Sequence, residues 1–299
     1  MVNTALTLNE YKHPNKASKK AYESLIGIDY QKSELLKMLS FMFDDSIIEN
    51  WKKRHHKKEL MLFEHLNTSS PLIILSGEVG CGKTALAQNI GTPLAESMKK
   101  TVRVFETPSN IRGSGLVGEI SNRITDAFTS AKSKLKSDEL GILIIDEADD
   151  IATSRAQNQA HHEDRAGLNV LIKQIDLLKK EKSNMAVIMI TNRIGALDPA
   201  VRRRTSLHLE FERPAGEKLE LVLGLIFENT NYSSKELKTV VDYIDQKIIP
   251  YSFSDLIQRI GKQAMLIAIE KDIPFTISLY QEILQKTEPS PLITDMNKL

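Results

Sequence analysis

Nine consecutive residues in the first third of the chain have the types and spacing needed to hold a polyphosphate. They follow the apolar run 72–75 and are Ser76-Gly77-Glu78-Val79-Gly80-Cys81-Gly82-Lys83-Thr84. The glycines let the backbone turn its N–H groups inward, and the start of a following helix favours negative charge. Lys83 supplies a positive charge for the β- and γ-phosphates, and Thr84 supplies a hydroxyl for Mg²⁺. Residues 77–84 are therefore predicted to bind a nucleoside polyphosphate with Mg²⁺.

Two carboxylates follow a second apolar run. Gly141–Ile145 is continuously apolar and ends at Asp146 and Glu147. Such runs are typical of strands buried on both faces of a parallel sheet. Asp146 is placed to hold Mg²⁺ together with Thr84, and Glu147 to polarise a water for in-line attack on the γ-phosphorus. This pair indicates hydrolysis of the nucleotide, since a kinase would need an acceptor pocket.

Other polar groups follow or precede later strands. Asn192 comes after the predicted strand 186–190, where its amide would be level with Glu147 and could orient the attacking water. The alternative is an ordinary turn residue. Arg203 and Arg204 precede the last predicted strand, and could reach as arginine fingers into a neighbouring subunit's site, which requires an oligomer. The alternative for these arginines is a nucleic-acid patch.

The order of elements predicts the fold that positions these residues. Strands alternate with helices up to about residue 214, which predicts a doubly wound α/β layer with a parallel, five-stranded sheet. After Gly216 the strand pattern stops and about four helices remain. We therefore expect a flexible N-terminal lead over 1–24, a nucleotide-binding α/β subdomain over 25–214 and a helical subdomain over 215–299.

The composition of the chain indicates which partners and which cell compartment to expect. Forty basic and 39 acidic side chains give a net charge of +1, so no overall field attracts the chain to nucleic acid or to an anionic membrane. The single cysteine, Cys81, excludes an internal disulfide and agrees with a reducing compartment. No apolar run approaches the roughly 20 residues that a membrane span needs. These observations predict a cytoplasmic protein with no membrane partner.

Together these motifs resemble the AAA+ ATPases, from about Leu25 to the end of the chain. The matching segments are GEVGCGKT for Walker A, ILIIDE for Walker B, ITN for sensor 1 and LDPAVRRR for the arginine-finger region. The resemblance implies that Glu147 is the catalytic base, Asn192 is sensor 1, Arg204 is the first-choice finger and Arg203 the second. It also implies that Ile28 borders the adenine and that the helical tail is the AAA+ lid.

A narrower resemblance is to the HORMA-domain remodellers of the pachytene-checkpoint type. The segments that carry it are GLV at 115–117, DEADDIATSR at 146–155 and NVLIKQID at 169–176. Bacterial members of that family accompany HORMA-domain proteins and a cyclic-oligonucleotide synthase in anti-phage signalling. The resemblance implies a homohexamer that threads a HORMA-domain client through its pore and thereby restrains the synthase. Ile111, Arg112 and Arg155 would then lie in the pore loops, with Ile111 projecting into solvent.

The chain departs from this family in three places. Only 24 residues precede Leu25, too few for the folded adaptor-binding domain of eukaryotic relatives. The first pore loop has no aromatic residue. Where the family has a sensor-2 arginine this chain has Asp255, and Arg259 one turn later either substitutes for that arginine or pairs with Asp255. The alternative functions are a nucleic-acid-handling AAA+ ATPase, such as a helicase loader or transposition regulator, and a scaffold that barely hydrolyses ATP.

Overall fold

The computed structural model describes residues 6–56, 61, 70–108, 111, 118–152 and 162–293. It has an α/β fold in which helices alternate with strands and then continue alone to the C-terminus. The elements are, in chain order, β1 (Asn9–His13), α1 (Lys16–Glu23), α2 (Asp29–Phe43), α3 (Asp45–His55), β2 (Leu72–Gly77), α4 (Lys83–Asn89), α5 (Gly91–Met98), β3 (Val102–Glu106), α6 (Glu119–Lys134), β4 (Leu140–Ile145), α7 (His162–Lys180), β5 (Met185–Thr191), α8 (Pro199–Arg202), β6 (Thr205–Phe211), α9 (Glu217–Ile226), α10 (Ser234–Asp245), the π-helical segment Asp255–Gly261, α11 (Lys262–Glu270) and α12 (Ile277–Lys286).

The sheet has six strands in the order β1-β3-β4-β5-β2-β6. The pairs β3–β4, β4–β5 and β5–β2 are parallel, which confirms the doubly wound α/β class. The prediction that the sheet is purely parallel and five-stranded is wrong, because β1 adds a sixth, antiparallel strand at the edge beside β3. The prediction of a flexible lead over 1–24 is therefore wrong, because Lys16–Glu23 forms α1 and Asn9–His13 forms β1. The sequence of β1, NEYKH, lacks the apolar run that identified the central strands, since an edge strand is buried less completely.

The chain divides into two compact units. The first contains the described residues within 1–24, 30–76 and 84–210, and the second contains those within 25–29, 77–83 and 211–299. The second unit thus includes Gly77–Lys83 of the phosphate loop as well as the C-terminal helices, whereas Thr84 belongs to the first unit.

The first unit has its core on the central strands. Every residue of β4 and β5 is buried, which explains their apolar runs. Helix α6 packs on these strands through one apolar stripe: Ile120, Ile124 and Phe128 recur every four residues and are buried in that core. Among the described residues, no helix is both long enough and apolar enough to cross a membrane.

The second unit has a separate core formed by its helices. Phe227 lies at its centre, with its ring centroid 5.1 Å from that of Tyr280 in an edge-on contact and 5.7 Å from that of Phe275. From Glu217 onward the described residues form helices and loops, as predicted. The π-helical segment that begins at Asp255 was not predicted, because its apolar spacing is that of an ordinary helix.

A buried histidine anchors the edge strand β1 in the first unit. His13 is 1% exposed, and its Nδ1 lies 2.8 Å from Thr92 Oγ1. A Cβ atom at Gly91 would lie 2.5 Å from His13 Cδ2, so the imidazole packs directly on the start of α5. Burial lowers the pKa of His13 from 6.5 to about 4. Between about pH 4 and pH 6.5, His13 is therefore neutral in the folded protein and protonated in the unfolded chain.

This pKa shift predicts that acid weakens the fold. Below pH 6.5 the unfolded chain binds a proton that folded His13 does not take up until about pH 4, so the free energy of unfolding should fall as the pH drops through this interval. Urea unfolding measured between pH 7 and pH 4 should show a shallower fall for His13→Leu than for the parent. His56→Gln, which removes a histidine at the end of α3, is measured alongside as the control variant. Equal slopes for His13→Leu and the parent would contradict the prediction.

Candidate nucleotide site

The phosphate loop, in the second unit, is shaped by two close approaches of backbone. Gly77 has φ +124°, and a Cβ there would lie 2.0 Å from the carbonyl oxygen of Phe211. Gly80 has φ +74°, and a Cβ there would lie 2.8 Å from Ser254 Cβ. Only glycine fits either position, because it has no Cβ and tolerates positive φ. The Glu78 N–H also donates to the Phe211 carbonyl, at 3.0 Å, so the start of the loop is held in place.

Lys83 lies across the inside of this loop. Its side chain is buried, and Nζ donates to the carbonyl oxygens of Gly77 at 2.8 Å and Glu78 at 2.7 Å. Ile28, predicted to border the adenine, is also buried and contacts the loop, since a Cβ at Gly82 would lie 3.6 Å from its Cδ1. A buried ammonium surrounded by backbone can neutralise phosphate charge.

Cys81, inside the loop, is 1% exposed. Burial is the main reason why its pKa rises to about 11, although Lys83 and Arg213 act in the opposite direction. The thiol is thus protonated at neutral pH, and a reactive-thiolate role has no support.

Thr84 and Asp146 meet in the first unit, as the metal-site prediction requires. Thr84 Oγ1 donates to Asp146 Oδ2 at 2.8 Å. A hydroxyl and a carboxylate are the oxygen ligands that Mg²⁺ prefers, and Mg²⁺ usually takes its other ligands from water and phosphate. Among the described residues, no cluster of three or more His, Cys, Asp or Glu side chains could hold a metal ion. The donor chemistry of Thr84 and Asp146 fits Mg²⁺ bound together with a nucleotide.

Glu147 has an unusual backbone for a residue with a side chain. Its φ and ψ are 50° and 43°, the left-handed conformation, which costs roughly 1–2 kcal/mol for most residues. Its N–H donates to Asp146 Oδ1 at 2.8 Å, and its side chain is exposed. The turn separates two adjacent carboxylates: Asp146 is bonded to Thr84, whereas Glu147 extends into solvent. An exposed carboxylate at a strand end is available to accept a proton from water.

Asn192 follows β5, whose Met189 pairs with Ile145 of β4, so the two strands end at the same sheet edge. Both neighbours of Asn192 bond to a single carboxylate that the sequence interpretation had missed. Asp149 Oδ1 accepts from Thr191 Oγ1 at 2.8 Å, and Asp149 Oδ2 accepts from Arg193 Nε at 3.0 Å. The segment after β4 thereby holds the chain on either side of Asn192.

The two candidate finger residues differ in their surroundings. Arg204 makes a bidentate ion pair with Asp176 of α7, with Nε–Oδ1 2.8 Å and Nη2–Oδ2 3.0 Å, and donates to the carbonyl of Ala200. Hydrogen bonding to Asp176 is the main cause of a raised Arg204 pKa. Arg203 is exposed. The geometry favours Arg203 over Arg204 as the group that can reach another molecule.

Of the three predicted pore residues, the structure describes Ile111. Ile111 is 4% exposed and packs in the core of the first unit, so the expectation that its side chain projects into solvent is wrong. Flanking polar and glycine residues suggested exposure, but the apolar side chain turns inward, where burial stabilises it. Arg112 and Arg155 lie outside the described residues.

The place where a sensor-2 arginine was expected holds a closed network in the second unit. Arg259 Nη1 donates to Asp255 Oδ1 at 2.5 Å, which confirms the pairing interpretation over the substitution. Arg213, which the sequence interpretation did not single out, pairs with Glu78 of the phosphate loop at 3.1 Å. No local pattern could have identified Arg213, because its partner lies 135 residues away.

A phosphate loop, a hydroxyl–carboxylate pair and an exposed carboxylate at a strand end define a nucleotide-binding protein of the phosphate-loop class. The chain belongs to the ATPase family associated with various cellular activities (AAA), which matches residues 73–213. Membership of this family implies nucleotide binding and ATP hydrolysis. The AAA+ resemblance seen in the sequence is confirmed.

Within this family, the chain is similar to particular relatives and solved structures. The chain is 34% identical over 284 residues to CD-NTase-associated protein 6 of Escherichia coli (strain MS 115-1), covering 91% of this chain and 90% of the relative. It is similar to a chain of the solved E. coli MS115-1 HORMA:CdnC:Trip13 complex, with TM-score 0.89, 31% identity and coverage of 96% and 98%. Rhizobiales Trip13 is also similar, with TM-score 0.73, 27% identity and coverage of 95% and 98%. The narrower resemblance to HORMA-domain remodellers is confirmed.

The site predicts different defects for two substitutions. Lys83→Ala removes the charge inside the loop and should weaken ATP binding by at least about tenfold, the effect of losing one charged hydrogen bond. Glu147→Gln keeps the shape but not the base, so it should bind ATP normally and lose about 10²–10⁴-fold in turnover. Binding of a fluorescent ATP analogue and phosphate release measure the two effects.

Asp150→Asn is the matched control, because it removes an exposed carboxylate three positions from Glu147. It should leave both measurements near those of the parent. Turnover by Glu147→Gln within threefold of the parent would show that Glu147 is not the base.

Proposed function

We propose that this chain is an ATP-driven remodeller that partially unfolds a HORMA-domain client. Disassembly of the client's signalling complex would then restrain a cyclic-oligonucleotide synthase in anti-phage defence. The observation that carries the proposal is the similarity to a chain of the HORMA:CdnC:Trip13 complex over 96% of this protein. The similarity to CD-NTase-associated protein 6 over 91% of the chain supports the same system. We place this activity in the cytoplasm.

The chemistry of the proposal follows from the site. Residues 77–84 would bind ATP, and Thr84 with Asp146 would hold Mg²⁺, whose positive charge would balance the negative charge of the phosphates. Glu147 accepts a proton from the attacking water, and Asn192 orients that water. Asp149 keeps Asn192 in place through Thr191 and Arg193.

Assembly into a homohexamer is part of the proposal, because an arginine finger must come from a neighbour. The second unit supports self-association, since large apolar side chains are exposed on α9 and from the π-helical segment to the loop after α11. They are Leu221, Leu225, Ile257, Met265, Leu266, Ile269 and Ile273. Apolar surface of this kind is typical of protein contact sites. We assign the finger to Arg203, which is exposed, and we assign Arg204 to holding α8 against α7.

This assignment predicts the outcome of mixing inactive subunits. Arg203→Ala and Glu147→Gln should each lose most ATPase activity, but mixed rings should recover part of it, because some interfaces combine an intact base with an intact finger. Arg202→Ala, which removes the adjacent exposed arginine, should hydrolyse ATP at nearly the parental rate. Phosphate release is measured after mixed assembly is verified by mass photometry. No recovery in verified mixed rings would count against action across subunits.

The remodelling proposal predicts a change in the client that requires hydrolysis. Incubated with ATP and a preformed complex of a HORMA-domain protein and its synthase, the parent should separate the two and lower cyclic-oligonucleotide production. Glu147→Gln should leave the complex intact. Gel filtration and chromatography of the nucleotide products measure the two effects. Continued ATP hydrolysis with an unchanged complex would refute the function, and stimulation of hydrolysis by DNA alone would favour the nucleic-acid-handling alternative.

A further inference from the structure

A buried arginine connects the phosphate loop to the end of the described chain. Arg213 is 7% exposed, and its Nη2 donates to Glu78 Oε2 at 3.1 Å and to the carbonyl of Pro291 at 2.8 Å. Its Nη1 donates to the carbonyls of Pro250 at 2.7 Å and Ser290 at 2.6 Å. One planar guanidinium therefore donates to four acceptors. One belongs to the phosphate loop, two belong to residues 290 and 291, and the fourth is the carbonyl of Pro250. Lysine, with a single nitrogen, could not reproduce this arrangement.

A buried carboxylate makes a second connection to the same part of the C-terminus. Asp255 is 1% exposed and accepts from Ser290 through both Oγ at 2.6 Å and N at 3.2 Å. It also accepts from Ser252 Oγ at 2.9 Å and from Arg259 at 2.5 Å. Burial by itself would raise the pKa of Asp255, but the hydrogen bonds from Ser290, Ser252 and Arg259 outweigh it and lower the pKa to about 2. The carboxylate is ionised and fully engaged at neutral pH.

The turn that leads into Asp255 touches the phosphate loop. Ser254 N–H donates to the carbonyl of Gly80 at 3.1 Å. Ser252 Oγ lies 2.9 Å from the point where a Cβ at Gly80 would be. Ser290 thus reaches the loop by two routes: through Arg213 to Glu78, and through Asp255 and its turn to Gly80. All of these residues belong to the second unit.

The C-terminal end of this network has its own anchor. The carbonyl of Thr287 accepts from Tyr251 Oη at 2.6 Å, and that of Glu288 accepts from Arg259 at 3.2 Å. Residues 287–291, which we call the C-terminal strap, are therefore bonded at four of their five positions.

We propose that the C-terminal strap positions the phosphate loop for nucleotide, with Arg213 and Asp255 as the positioning residues. A loop that becomes ordered only on binding loses conformational entropy, and this cost weakens the binding. A loop that is already held in its bound shape therefore binds its ligand more tightly. The strap holds Glu78 and Gly80, which lie on either side of Val79 at the tip of the loop. Arg213 acts through Glu78, and Asp255 acts through the turn whose Ser254 bonds to Gly80. The inference depends on nucleotide binding by residues 77–84 and is independent of the client.

Two truncations test the strap. Removing residues 290–299 takes away Ser290 and Pro291, whereas removing only 294–299 leaves every contact described above. The shorter protein should show an ATP KM raised about tenfold with kcat at saturating ATP within about twofold, since preorganisation acts on binding. The protein ending at Ile293 should match the parent in both constants. Equal KM values for the two truncations would overturn the proposal.

If the protein that lacks residues 290–299 fails to fold, a point variant tests the same proposal. Ser290→Ala removes only the hydroxyl, which bonds to Asp255 and Arg259, and retains the backbone contacts with Arg213 and Asp255. It should raise the KM for ATP about threefold while Ser290→Thr, which restores a hydroxyl, returns it to the parental value. An unchanged KM in Ser290→Ala would equally overturn the strap. If the full-length parent failed to bind ATP at all, the proposed function would fail instead.

Discussion

The nucleotide loop depends on the close approach between Gly77 and the carbonyl of Phe211. The space is too small for any side chain, since a Cβ would lie 2.0 Å from that oxygen. The same carbonyl accepts the N–H of Glu78, and Arg213, two residues further on, holds the Glu78 side chain. The end of the last strand therefore fixes the start of the phosphate loop. The start of this eight-residue motif is thus held by Phe211, which lies more than 120 positions further along the chain.

Three carboxylates at the end of β4 show how backbone conformation separates chemical roles. Asp146 bonds to Thr84, Glu147 is exposed and Asp149 bonds to Thr191 and Arg193. The left-handed turn at Glu147 turns adjacent side chains to different surroundings. A regular strand would only have alternated them between the two faces of the sheet. The cost of that turn at a non-glycine residue is consistent with strain kept at a functional site.

Much of the fold followed from local patterns. Strands β2, β4 and β5 were recognisable because they are buried on both faces, so nearly every residue in them is apolar. Strand β1 was missed because it lies at the sheet edge and is largely polar. Ile111 was placed wrongly for a related reason: its neighbours in sequence indicate a loop, but they do not indicate which side of the loop faces the core.

The sequence by itself determined the chemistry of this protein: a phosphate loop, an acid pair after a buried strand and an amide after the next. These depend on residues adjacent in the chain, so their spacing is visible without a structure. Only the tertiary structure decided which charges are engaged. Arg204 is paired across 28 positions and Arg213 across 135, and Asp255 bonds to Ser290 across 35. Pairing and burial arise from contacts between distant segments, and no local periodicity encodes them.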